Sequence, residues 1–409
     1  MNNEREFKEF KDLPEGWKWV RLGEVVIENP KSPFKVEDCD NFGNFPFFTS
    51  GDNVLRHSHF LVDEENLFIA TGGKAKINYF YGKASYSADT YSLKVKDLNT
   101  KYIFYTLLKD IEIIDYKFFS GSGLKHLQKD DFKGLSIPLP PLPEQQKIAE
   151  IFETIDNAIE KTDKIIEKYK RIKQGLMQDL LTKGIDENGN IRNEKTHKFK
   201  DSPLGKIPEE WEVVRLGEVG EIISGSTPST YNDEYWNGEI VWITPNDLSN
   251  IENIFIENSS RKITQKGLKS CSTKIISANS VVVSSRAPIG YVKVSKVPFA
   301  TNQGCKSIEY NGKFSPIFLA FLLSNKVQDM INMGSGTTFQ EITKSNLAKI
   351  LIPLPPLPEQ QRIAEILSQI DQTIEKEQQY KEKLKRIKQG LMEDLLTGKV
   401  RVNQLIKEA

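Results

Sequence analysis

The sequence predicts an α+β protein: two mixed α/β domains separated by a pair of long antiparallel helices in a coiled coil, the whole arranged as a pseudo-twofold internal repeat. Three observations predict it. Three blocks of sequence occur twice in the same order, two stretches carry a helical apolar stripe over about 40 residues each, and the long segments between them mix strand and helix patterns.

The repeat comes first. Residues 14–25 read PEGWKWVRLGEV and residues 208–219 read PEEWEVVRLGEV, nine of twelve positions alike at an offset of 194. Residues 137–156, IPLPPLPEQQKIAEIFETID, and 352–371, IPLPPLPEQQRIAEILSQID, agree at sixteen of twenty positions, offset by 215. Residues 171–182 and 386–397 agree at eleven of twelve, again at 215. The middles, 26–136 and 220–351, look unrelated, and the second is longer. A shared frame around unlike middles points to one job done twice by the frame and two versions of another job done by the middles. Plain duplication with drift would spread the differences more evenly. The resulting division is a first mixed domain over 1–142, a central helix over 143–183, a linker over 184–207, a second mixed domain over 208–357 and a C-terminal helix over 358–399.

Each helix shows its stripe directly. Ile148, Phe152, Ile155, Ile159, Ile166 and Tyr169, then Ile172, Leu176 and Leu180, recur at steps of mostly three and four, with Thr162 interrupting. The second copy gives Ile363, Leu367, Ile370, Ile374, Leu384 and Ile387, then Leu391 and Leu395, with Glu377 interrupting where Thr162 does. Forty residues make about 60 Å of helix. A helix that long and that polar needs a partner, and the other copy is the obvious one. Pro143 and Pro358 suit a first helical turn, and Glu144 and Glu359 place negative charge at the positive helix end. PLPPLP reads as an extended lead-in; its repetition before both helices favours that over a ligand for a proline-binding domain. Gly175 and Gly390 weaken their helices by about 1 kcal/mol each relative to alanine, which points to a close crossing, a partner's approach or a plain weak spot. In the second middle, KIISANSVVVSS reads as strand and PIFLAFLLSNKVQDMINM as short helix.

Composition narrows the function classes. Hydrophobic residues are 38% and charged residues 27%, ordinary for a globular protein with sizeable cores. No apolar run is long enough for a membrane span, and the start MNNEREFKEFKDLPEGW has no apolar signal core. Cys39, Cys271 and Cys305 are far apart and form no CxxC pair, so neither a disulfide framework nor a zinc site is indicated, and the cytoplasm is the expected location. Fifty-six basic residues balance fifty-six acidic ones, which argues against a histone-like binder while leaving room for a local basic groove. No P-loop and no NPPY- or DPPY-like methylation motif occurs: Gly73-Lys74, Gly82-Lys83 and Gly205-Lys206 lack the following Ser or Thr. His57, His59, His126 and His197 form no evident metal cluster, a solvated loop being the plainer reading of His57 and His59. No catalytic residue, metal or cofactor is expected.

IPLPPLPEQQKIAEI and its repeat, each followed by RIKQGLM, resemble the shared helical regions of Type I restriction–modification specificity subunits. The likeness extends through the second middle: SGSTPST, VWITPNDL, SSRAPIGYV, ATNQGCKSI and GSGTTFQEITKSNLAKILIPLPPL follow the usual course of a target recognition domain in that family. The first middle departs from it, with IATGGKAKINYFYGKASYSADTYSL, so its membership rests on the frame. The resemblance implies a non-catalytic, DNA-binding subunit. Each recognition domain then reads one half of a split double-stranded target, and the helices set the spacing and dock two DNA-adenine methyltransferase subunits. Restriction subunits that translocate DNA join the complex, and S-adenosylmethionine belongs to the methyltransferase.

Reading a duplex takes phosphate contacts for position and base-edge contacts for specificity, and polar Gly-rich loops are the natural carriers. In the first domain the candidates are Gly72, Gly73, Lys74 and Lys76; Ser87, Asp89, Thr90 and Tyr91; and the loop Gly121–Gly123 with Lys125 and His126. In the second they are Ser226 and Thr227; Thr244, Asn246 and Asp247; Ser285 and Arg286; Asn302 and Gln303; and the stretch from Gly334 that holds Thr337, Thr338 and Gln340. Arg286 is the foremost, because its fork can clamp guanine or phosphate. Asn246-Asp247 reads equally as a turn or cap, Thr337 and Thr338 as a helix cap, and the glycine loops as simple turns. Trp17 and Trp211 read as strand core rather than stacking platforms. Two other classes compete: an independent DNA-binding regulator, which would not need the twin helices, and a coiled-coil scaffold, which would leave two large divergent middles unexplained.

Overall fold

The frame blocks fold into one arrangement, made twice. The computed structural model describes residues 13–40, 42–334 and 340–406. It divides into two units, Met1–Lys164 with Gln378–Ala409, and Ile165–Glu377. Four helices organise them: α1, Thr100–Lys109; α2, Leu142–Leu180; α3, Pro316–Asn325; and α4, Leu357–Leu395. α2 and α4 are 39 residues each. Each unit takes the head of one of these long helices and the tail of the other.

In the first unit the strand Lys18–Arg21 pairs antiparallel with Ser136–Leu139, Trp19 opposite Pro138. This ribbon is where the divergent middle leaves and rejoins the frame. Between its strands lies a six-stranded sheet in the order Val26–Glu28, Thr90–Val95, Val62–Ala70, Ile77–Tyr86, Phe45–Phe48, Leu55–His57. Its long central hairpin runs in unbroken register from Val62 opposite Ala84 to Ile69 opposite Ile77. α1 closes one side, and its Tyr102, Ile103 and Leu107 share a core with Leu67, Tyr91 and Leu93. That same core takes Ile148 and Phe152 from the head of α2, Leu395 from the tail of α4 and Leu396 just after it.

In the second unit Glu212–Arg215 pairs antiparallel with Leu351–Leu354 at the corresponding register. The middle differs: a five-stranded sheet orders Ile222–Ser224, Cys305–Ile308, Val281–Ser284, Val292–Ser295 and Phe255–Ile256, beside a three-stranded sheet centred on Trp236–Ile243. KIISANSVVVSS contributes one strand of it, and PIFLAFLLSNKVQDMINM becomes two helices that break at Lys326. α3 is apolar nearly all round because it is buried from Phe318 to Leu323. Its core also holds Ile363 and Leu367 from the head of α4 and Leu180 from the end of α2.

The PEQQ motif explains how helix and domain are joined. Glu144 is buried, accepts from Trp17 Nε1 at 3.4 Å, and forms an ion pair with Arg401. Glu359 is buried in the same way, accepts from Trp211 Nε1 at 3.1 Å and from the Ile185 amide at 2.9 Å, and pairs with Arg192. The tryptophans are therefore core residues, as their patterns predict, with one polar atom committed to the helix head. The following glutamine does a second job. Gln145 accepts from Asn99 N at 3.1 Å, where Asn99 caps α1, and donates to Pro140 O at 2.8 Å. Gln360 accepts from Ser315 N at 2.9 Å, where Ser315 caps α3, and donates to Pro355 O at 2.8 Å.

Interhelical ion pairs fix the antiparallel sense within each unit. Asp156 meets Lys388 at 2.5 Å and Asp163 meets Lys381 at 2.5 Å in the first; Asp371 meets Lys173 at 2.5 Å in the second. Asp156 and Asp371 are repeat-equivalent, as are Lys388 and Lys173. Of the expected seam residues, Ile166 and Ile374 are buried and Ile155, Ile159, Tyr169, Ile370 and Leu384 half-buried. Ile387 is a correction: it is 42% exposed and lies off the seam, the stripe having drifted because 3.6 residues per turn do not divide the repeat evenly. Among the described residues a Cβ at Gly175 or Gly390 would meet nothing within 4 Å, so no close crossing between them calls for either glycine.

The buried carboxylates set the first stability test. Glu359→Ala strands Arg192 and the Trp211 indole; removing one partner of a buried pair costs about 3–5 kcal/mol. The urea midpoint of the purified chain should fall accordingly, and Glu144→Ala should act likewise; a loss below about 1 kcal/mol would show that these pairs do not hold the helix heads.

Lys293 supplies a pH test. It is buried, donates to Ile251 O at 2.6 Å and Asn253 O at 2.7 Å, and burial, reinforced by nearby Lys173, pushes its pKa from 10.5 down to about 8. Between about pH 8 and 10.5 the unfolded chain binds the extra proton, so this group makes stability rise with pH through that window. Lys293→Met should abolish the increment: the stability difference between the natural chain and the variant should change between pH 7 and 9.5. A pH-independent difference would contradict the buried charge.

Candidate nucleic-acid interface

The first unit brings its three candidate loops to one place. Gly72 and Gly73 lie in the turn between Val62–Ala70 and Ile77–Tyr86. Gly72 bridges to His126, and Gly73, at φ +83°, donates its amide to Lys125 O at 3.0 Å. The Asp89 carbonyl joins the group, accepting from Thr71 Oγ1 at 2.6 Å and Ser50 Oγ at 2.5 Å. A fourth loop, Ser50 to Asp52, was not evident from sequence: Lys76 Nζ donates to Gly51 O and Asp52 O, each at 2.6 Å. Its signal was the run TSGDN between two short strands, a pattern too common to single out.

The side chains in this cluster divide. Lys74, Asp89 and His126 are exposed, and Lys125 is exposed while 3.3 Å from Asp115. Ser87, Thr90 and Tyr91 are corrections, since their side chains point inward. Ser87 Oγ donates to Asp89 Oδ1, and Thr90 Oγ1 donates to Phe48 O at 3.1 Å, so both hold the turn rather than present themselves. Tyr91 donates to Glu28 at 3.3 Å beneath the Lys129 ammonium; burial, with Glu28 adding to it, pushes its phenol up.

The second unit also converges. Gly225 permits it: a Cβ there would lie 2.2 Å from Thr301 O, and Ser226 N donates to that carbonyl at 3.0 Å. Thr227 Oγ1 then reaches Gln303 Oε1 at 2.5 Å. Around Gly304 stand Pro245, Asn302 and Arg286, at 2.9, 3.2 and 3.3 Å from where a Cβ would be. Arg286 follows the strand Val281–Ser284 in a tip where Ala287 has φ +56°. It is part exposed and stands 3.6 Å from Glu341. Gln303, Asn246 and Gln340 are exposed; Thr337 and Thr338, with Ser335 and Gly336, lie outside the described residues.

Two candidates of this unit are corrected. Asp247 is buried in a capping box with Thr244, the N-cap of Pro245–Ser249, so the cap reading is the one that holds for Asp247. Burial raises its pKa, but hydrogen bonds from Thr244 and Ser260 outweigh that and leave it below the ordinary carboxylate value. Ser285 is also buried, accepting from Lys306 Nζ at 3.2 Å. Lys306 and Glu341 were missed. The one reads as a strand lysine and the other as a helix-leading acid, and only their meeting makes them notable.

Chemically, both clusters offer amides, hydroxyls, carboxamides and a few cations on short loops, the donor and acceptor set that duplex edges require. Among the described residues no group of three or more His, Cys, Asp or Glu is placed to hold a metal ion, and no helix is long and apolar enough to cross a membrane. Burial pushes the Cys305 thiol up.

Comparison with known proteins agrees. The family model described as "Type I restriction modification DNA specificity domain" matches residues 14–170 and again 208–386. The chain is 31% identical over 431 aligned positions to the Type I restriction enzyme MjaVIII specificity subunit of Methanocaldococcus jannaschii, covering 98% of this chain and 97% of that one. It is 41% identical over 191 residues to the MjaIX specificity subunit of the same organism, which is 46% of this chain and 44% of that one. The crystal structure of a Type-I restriction-modification system S subunit from M. genitalium superposes with a TM-score of 0.64 at 16% identity, over 93% of this chain and 96% of that one, a likeness of fold.

Proposed function

Because this chain belongs to the Type I restriction–modification DNA specificity family, we propose that each mixed domain, 1–142 and 208–357, reads one half of a bipartite duplex target. α2 and α4 then set the spacing between the halves and dock two DNA-adenine methyltransferase subunits. As a specificity subunit the chain is non-catalytic and supplies DNA sequence specificity to its system. Restriction and translocase subunits complete the cytoplasmic assembly, and S-adenosylmethionine enters with the methyltransferase.

One observation carries this reading: a single frame, down to the Trp–Glu–Arg contacts and the equivalent Asp–Lys pairs, is built twice around middles with different sheets. Two like frames suit two copies of one partner; two unlike middles suit two different half-sites. The reading residues are Lys74, Asp89, Lys125 and His126 in one domain and Thr227, Asn246, Arg286, Asn302, Gln303 and Gln340 in the other. Docking has matching support, because Ile165 and Ile172 on α2 and their repeat equivalents Tyr380 and Ile387 on α4 are all exposed, each pair two turns apart and followed by an open glycine. A methyltransferase helix laid on either face would meet the same chemistry.

Exchange of residues 26–136 for another member's middle, followed by methylome sequencing of cells that carry the matching methyltransferase, tests the assignment. One half of the methylated target should change and the other stay. A change in both halves, or failure of the natural chain to co-purify with a methyltransferase subunit, would overturn it. The spacing role has its own test. One heptad added to both α2 and α4 lengthens each by about 10 Å, so the spacer should grow by about three base pairs while both half-sites persist. An unchanged spacer would remove the helices from that role.

A further inference from the structure

The acid beside Arg286 has no obvious place on a surface meant for a polyanion, and the geometry around it gives it one. Glu341 stands between two cations, one on the strand Cys305–Ile308 and one in the tip after Val281–Ser284: its Oε1 is 3.3 Å from Lys306 Nζ and its Oε2 is 3.6 Å from Arg286 Nη1. Its backbone is pinned there, because the next residue, Ile342, donates its amide to Ser285 O at 3.0 Å, immediately before Arg286. Lys306 is held from three sides, with its side chain only 7% exposed, donating to Ser285 Oγ at 3.2 Å and Gln303 O at 3.0 Å besides Glu341. The buried ammonium needs a countercharge, and Glu341 supplies it. Lys306 in turn fixes the carboxylate that Arg286 leans on.

We propose that Glu341 is a specificity-determining positioning residue, which braces Arg286 from Lys306 so that the free edge of the guanidinium is aimed at a guanine in the half-site read by the second domain. This rests on the reading given under Proposed function and deepens it. An unbraced arginine samples many rotamers and meets phosphate or base alike, since a phosphate oxygen and the guanine edge both accept its fork. The ion pair narrows the directions the guanidinium can take and leaves its donors for the base edge, which turns a general cation into a base reader. The acid also repels phosphate, so an Arg286 that swung toward the backbone would leave its countercharge behind.

The test uses the full chain in complex with its methyltransferase and duplexes carrying the methylome-determined target, each base pair of the second half-site substituted in turn. Arg286→Ala should lose discrimination at one base pair by about tenfold or more. Glu341→Ala should lose most of the discrimination at that same base pair, with affinity for unrelated duplex unchanged or higher. The double variant should be no worse than Arg286→Ala alone, as expected for groups acting through one another. Glu341→Gln, which keeps an acceptor, should retain part of the discrimination and controls for misfolding. Loss at a base pair that Arg286→Ala leaves intact would overturn the proposal by making Glu341 an independent reader. So would a uniform loss at every base pair, the mark of a merely structural role, or an unaltered profile. If instead the natural complex showed no preference for its target over substituted duplexes, the reading of the whole chain would fall, and not this residue's role alone.

Discussion

One buried carboxylate, used twice, organises this chain. Glu144 and Glu359 sit in the opening turn of the long helices, where the helix dipole favours negative charge. Each then gathers an indole from the strand block and an arginine from beyond the other long helix's C-terminal end. Three segments far apart in sequence are thereby fixed to one group. The cost of placing an ionised acid out of water is offset because every partner is a donor and one is a cation. A hydrophobic residue there would pack, but it would not specify which tail meets which head.

From that point the rest follows by short steps. The glutamine after each acid reaches the cap of α1 or α3, so one helix of each domain is seated by the long helix that follows the domain. The Asp–Lys pairs set the sense of the helices, and the antiparallel ribbon delivers the divergent middle and takes it back. Only beyond the ribbon does the chain become free to vary. Along the long helices, acids and bases also pair within one helix, as Lys164 does with Glu160, Lys170 with Glu167 and Lys385 with Glu382.

Much of the frame was legible because repetition separates signal from chance. The helices, their lead-ins and the buried tryptophans all follow from patterns visible twice. The charge on Glu144 was read as a dipole effect; its pairing with Arg401, 257 residues away, has no local signature. In the loops, the segments singled out from sequence lie together within each unit of the structure, but several of their side chains turn inward. Ser87, Thr90, Tyr91, Asp247 and Ser285 share the residue types of a reading surface, but those same types build turns and caps, and burial decides which. Ile387 failed for the opposite reason: its residue type is a core type, and only helical drift puts it outside.

The four-residue ribbon at the mouth of each domain acts as a socket. Its two strands fix the direction and separation of the backbone at entry and exit, about 5 Å apart. An insert must meet that gap and also match the helix-head residues its core and its capped helix pack against. The PLPPLPEQQ lead-in that runs on from the ribbon occurs unchanged at both places, so the two domains are held by sockets of the same make although what fills them differs.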